Sequence, residues 1–228
     1  MRDERPPQVG TRPRVEIRRG VREELLILID GQLAAMDHPE TVSALRAAGS
    51  PIVRELCVAL ESGTMEARVE AAWLLGQIGA AAGIRALSRT IEGAGWRGEA
   101  PVVLQRATEA LLRLGVPGIE AFDRAIGRFA PDDLTRLLLI RRASAELVRM
   151  LPPPRLSRRI IRSWASALTV YSGRLEKLDR VSRADKLSFQ RVVLEAYGLS
   201  LDQERDTVPE LIDALSRYPA LERGKRAS

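Results

Sequence analysis

The chain has 228 residues, 45% of them hydrophobic but only 4% aromatic, with a net charge of +6 and a single cysteine, Cys57. Such a length buries a sizeable core, and Leu, Ile, Val and Ala must fill it, which suits close helix packing better than sheet. One cysteine excludes an intrachain disulfide framework and a cysteine-based zinc site, and it points to a reducing, cytoplasmic setting.

Residues 1–20 carry six Arg against three acids and contain three prolines. They have no apolar core of a secretory signal, and Asp3, Glu4 and Glu16 argue against a transit peptide. We read them as a basic, disordered tail. No apolar run approaches the ~18 residues of a membrane span, so a soluble chain with no membrane partner is expected. Val21–Met36 reads as an opening helix, weakened by Gly31. His38, the only histidine, follows in the turn "MDHPE". Asp37 and Glu40 flank it without the regular spacing of a metal motif, so a helix-entry turn explains the segment. No nucleophile–His–acid set can be assembled elsewhere, and no carboxylate pair stands out from ordinary surface charge.

Residues 21–170 read as a repeat array. Residues 71–87 align with 107–122 at an offset of 36: Ala71 falls on Ala107, Leu75 on Leu111, Ile78 on Leu114 and Gly79 on Gly115. One residue is lost in the turn, and Ile84, Leu87 and Ile91 then fall on Ile119, Phe122 and Ile126. Upstream, Leu45, Gly49, Val53, Leu56 and Leu60 form a worn copy over 39–60; downstream, Ala143, Leu147 and Met150 begin another over 132–168. Pro51, Pro117 and Pro153 each come just past a first helix, where proline stops one helix or opens the next.

Each tile is a helix–turn–helix. Ala71, Leu74, Leu75 and Ile78 recur at three- and four-residue steps, which is one buried helical face. Gly79 suits the left-handed residue that ends such a helix. Ala71 and Ala72 let neighbouring helices approach closely. Cys57 falls inside a second helix beside Leu56 and Leu60, as a buried, inert thiol.

"ARVEAAWLLGQIG" (67–79) resembles the HEAT-like repeat of the phycobilisome-lyase type, whose pattern runs roughly V-R-x-x-A-A-x-A-L-G-x-I-G. Arg68, Ala71, Ala72, Leu75, Gly76, Ile78 and Gly79 fit it, while Ala67 and Leu74 stand where Val and Ala are usual. The resemblance implies an all-α fold, an α-solenoid of helical hairpins, and a scaffolding or protein-binding role. It carries over no chromophore-lyase activity, because the motif is structural and holds no catalytic residue.

Between the two clear tiles, "GAGWRG" (93–98) matches G-x-G-x-x-G in form only. A dinucleotide fingerprint follows a strand and opens a helix, whereas this segment leaves a helix and joins two repeats. Trp96 within it folds over the helix ends or stands ready as a contact residue, tryptophan being enriched in binding hot spots. Trp73 takes a variable position of the repeat, where it packs on the adjacent tile or lines a groove.

Charge is uneven along the chain. Residues 21–135 sum to −5, whereas residues 136–183 hold 12 basic groups against Glu146, Glu176 and Asp179. In "PRLSRRIIRSWASAL", Arg155, Arg158, Arg159 and Arg162 share one face of an expected helix, with Leu156, Ile160, Trp164 and Leu168 opposite, so Trp164 is core. A guanidinium face suits carboxylates or phosphates through bidentate contacts.

Residues 171–220 read as a helical cap, with "SRAD" (182–185) starting one helix that runs to about Tyr197. "TVPE" (207–210) reads as a capping box before another over Leu211–Tyr218. Residues 221–228 are expected to be a disordered tail. The leading expectation is a non-enzymatic scaffold, without cofactor or metal, that docks an acidic protein through its arginine face. The alternative is a nucleic-acid-binding HEAT-like protein, similar at fold level to DNA glycosylases that excise alkylated bases.

Overall fold

Thr64 opens the best-preserved tile: its hydroxyl accepts the Ala67 amide at 3.3 Å, one of the donors that a helix start leaves unpaired. The computed structural model describes residues 43, 46–47, 49–94, 100–180 and 194–219. Within them lie helices α1 (Ser50–Ser62), α2 (Met65–Ile78), α3 (Ile84–Glu92), α4 (Pro101–Arg113), α5 (Gly115–Ile126), α6 (Leu134–Arg149), α7 (Arg158–Arg180) and α8 (Leu201–Ser216), with no strand among the described residues. The expected tail 1–20, the opening helix Val21–Met36, His38, Trp96, the helix start 182–185 and the tail 221–228 lie outside the described residues.

Turn chemistry repeats where the sequence repeats. Gly79 and Gly115 are both left-handed, with φ of 73° and 70°, so the aligned glycines make the same backbone reversal. Arg46 secures the first of these ends, donating to the carbonyls of Gln77 at 2.6 Å and Ile78 at 3.3 Å. At the other end of the array Asp133 accepts the Arg136 amide at 3.1 Å and starts α6.

The helices touch in two rows. In one, α2 packs on α4, α4 on α6 and α6 on α8; in the other, α1 packs on α3 and α3 on α5. Cross-contacts between α1 and α2, α3 and α4, α4 and α5, and α6 and α7 join the rows. The core between them is Leu, Ile, Val and Ala with a few aromatics: Leu75, Leu87, Ile91, Leu111, Ile126 and Leu147 are all sealed from solvent. Gly76 lets α2 and α4 approach, because a Cβ built on it would stand 2.8 Å from the Ala110 Cα.

The C-terminal part departs from the sequence expectation. The segment "TVPE" does not start a helix, because α8 runs unbroken from Leu201 with Pro209 inside it. Thr207 is already helical and its hydroxyl donates to the Gln203 carbonyl at 2.9 Å, one turn back. Burial outweighs the missing proline N–H, since Glu204, Val208 and Leu215 are sealed against α6 and α7. Arg141 of α6 grips the Glu204 carboxylate with two nitrogens, one of them Nε at 2.8 Å, and the Tyr171 hydroxyl of α7 donates to the same carboxylate at 3.1 Å. Burial first, and the Glu204 charge second, hold the Tyr171 hydroxyl well above its usual titration range. The boundary at 170/171 falls inside α7, which spans it as one helix.

Candidate docking face

The segment between α6 and α7 explains how the arginines are presented. Residues preceding proline are disfavoured in helix, so Leu151, Pro152 and Pro153 stay extended or turned. Leu156 is buried and anchors the segment just before the helix. Ser157 then accepts the Ile160 amide at 3.4 Å and α7 begins at Arg158. Arg158, Arg159 and Arg162 therefore sit in the first turns of one helix, while Arg155 precedes it. The expectation of four arginines on one helical face is corrected in this respect, because the Ser157 cap sets a later start than the hydrophobic spacing suggests.

All four guanidinium residues are exposed, but they are not equivalent. Arg159 Nη2 lies 2.6 Å from Asp123 Oδ2, and the other Asp123 oxygen accepts the Trp164 indole N–H at 3.1 Å. Asp123 is only 5% exposed at its side chain, and each oxygen of this buried carboxylate is held, one by a surface cation and the other by a core donor. Trp164 is fully buried, edge-on to Phe122 with ring centres 5.4 Å apart, and is core as the spacing predicts. Arg155, Arg158 and Arg162 make no ion pair among the described residues. Three positive groups thus remain available, and the fourth locks α7 to α5.

Trp73 is half-buried and packs against the core. It lies on α2, whose main neighbours are α1 and α4, so the fold does not bring it to the arginines of α7. Cys57 is half-buried rather than buried, and desolvation, with Glu61 second, raises its thiol pKa. Among the described residues no three His, Cys, Asp or Glu side chains gather as metal ligands.

A second set of arginines escapes the sequence reading. A groove of about 610 Å³ runs between α3 and α5, walled by Arg85, Arg89, Arg124 and Arg128 with Glu92 among them. Arg89 pairs with Glu61 at 3.3 Å and Arg128 with Glu92 at 3.2 Å. The signal was present as two i, i+4 spacings, Arg85 with Arg89 on α3 and Arg124 on α5 with Arg128 two residues past its end. The acidic total of residues 21–135 hid it. The three pairs Glu61–Arg89, Glu92–Arg128 and Asp123–Arg159 form a ladder along these helices, its acids at equal chain intervals.

Comparison with models of known protein families, with characterised proteins and with solved structures finds no match to this chain.

Proposed function

We propose that the chain is an α-solenoid of HEAT-like hairpins that works as a non-enzymatic, cytoplasmic scaffold and docks an acidic partner protein on the start of α7. The repeat resemblance over 65–91, the paired left-handed glycines and the two rows of helices support the solenoid reading. The observation that carries the docking reading is the set of exposed Arg155, Arg158 and Arg162, without an ion pair among the described residues, beside Arg159, which holds Asp123. A neighbouring acid neutralises most charged helix faces. Here Asp123 is spent on Arg159 and Trp164, so partner carboxylates have three forked donors to meet.

The test is capture of partners from a host lysate by the full chain, with and without nuclease, beside the variant R155E/R158E/R162E. Capture that survives nuclease and disappears in the variant, with helical circular dichroism unchanged, is the expected result. Undiminished capture by the variant overturns the docking site. Capture abolished by nuclease overturns the protein partner in favour of nucleic acid, whose binding would also fall steeply with salt.

A further inference from the structure

We infer that the groove between α3 and α5 is a second docking site, for an extended acidic polypeptide segment of the partner. This rests on the solenoid-scaffold reading and adds a site and a ligand form to it. Arginines stand on both sides of the groove: Arg85 and Arg89 at i, i+4 on α3, and opposite them Arg124 on α5 with Arg128 in the turn just past its end. Arg85 and Arg124, one from each wall, make no ion pair among the described residues. The other two are paired: the Arg89 and Glu61 side chains are 53% and 45% exposed, and Arg128, 70% exposed, meets Glu92, which is 28% exposed. An exposed pair such as Arg89–Glu61 contributes about 0–1 kcal/mol, so an incoming carboxylate can exchange with Glu61 at little cost.

The lining also selects the kind of anion. Ala82, Ile84 and Ala121 give the groove an apolar wall that suits short aliphatic side chains. No aromatic side chain is among the described residues that line it, so these residues offer bases no stacking surface, whereas single-stranded nucleic acid sites are built on aromatic platforms. Glu92 within the lining repels an unbroken phosphate backbone but is tolerated by a peptide whose carboxylates are spaced by small residues. The α5 wall adjoins the α7 arginines through the neighbouring Asp123–Arg159 pair, so one acidic segment can continue from groove to α7.

The probe is a fluorescein-labelled alternating Glu–Ala dodecapeptide, its anisotropy followed with the full chain at near-physiological salt beside an oligothymidylate of matched charge. R85E/R124E is expected to weaken peptide binding by about tenfold or more, and R85Q/R124Q to weaken it less, both with unchanged thermal melts. The control R113E/K177E, with the same charge change away from the groove, should bind within about threefold of the parent. Parent-like binding by R85E/R124E, or an equal loss in the control, overturns the site. Tighter binding of the oligothymidylate than of the peptide, lost in R85E/R124E, overturns the acidic polypeptide as occupant. Loss in R155E/R158E/R162E with R85E/R124E intact rejects the groove and leaves the α7 site standing. Loss in R85E/R124E with the α7 variant intact supports the groove and rejects the α7 site.

Discussion

Glu70 sits in the middle of α2, 8% exposed, and its Oε1 finds no hydrogen-bond partner among the described residues. Removed from water by burial, the carboxyl titrates at about 7 instead of 4.5. Between those values the folded chain holds a proton that the unfolded chain has released. Stability therefore falls as pH rises from about 4.5 to about 7 and stays lowered above. Below 4.5 both states are protonated and the penalty vanishes. E70Q is expected to gain on the order of 1–3 kcal/mol above pH 7 and nothing below pH 4.5. Urea unfolding at both ends of that range checks it, and equal gains at both ends would refute burial of the charge as the cause. Nothing in the sequence singles out this residue. Its column in the repeat holds Arg106 and Arg142, both charged and both paired to Glu109, so Glu70 looks like one more solvated position. Trp164 was legible because its apolar neighbours recur at helical spacing; its carboxylate partner, 41 residues earlier, follows no local pattern.

At the scale of elements, α2 and α4 meet where Gly76 removes a side chain. A Cβ there would stand 2.8 Å and 3.0 Å from the Ala110 Cα and Cβ. Backbone cannot swing away as a side-chain end can, so G76V should destabilise by about 1–3 kcal/mol through overpacking. A lowered urea midpoint with unchanged slope would show it; a neutral result would mean that the two helices are not pressed together. Close approach on this helix was legible at Ala71 and Ala72, whereas Gly76 stood in the sequence only as a fit to the repeat pattern. Helix starts were less so. The onset of α7 depends on which of several Ser and Pro residues caps it, and Ser157 prevails over the apolar spacing that places Arg155 in the helix. The unbroken α8 defeats a local rule for the opposite reason: a cap signature at Thr207 loses to burial on both sides of Pro209.

Across the whole molecule, the all-α architecture follows from two tiles that a reader can align by eye, because the same residues pack and turn in each. What pairs with what between tiles is another matter. The ladder of Glu61, Glu92 and Asp123 with arginines one tile on, and the buried Arg141–Glu204–Tyr171 group that fastens α8, join residues far apart in the chain. Only the packed helices reveal them. The lowest rung of that ladder has an optical consequence. Asp123 holds Arg159, 72% exposed at its side chain, with one oxygen and the sealed Trp164 indole with the other, so surface charge sits two contacts from a chromophore. An anion that draws Arg159 outward leaves Asp123 uncompensated beside the ring and shifts the local electric field. With Trp73 and Trp96 replaced by Phe, titration with the Glu–Ala peptide should therefore move the emission maximum of Trp164. Emission that holds still at saturation would show that Arg159 keeps its grip on Asp123. A tryptophan that never meets the partner would then serve as the protein's own gauge of occupancy, read without a label.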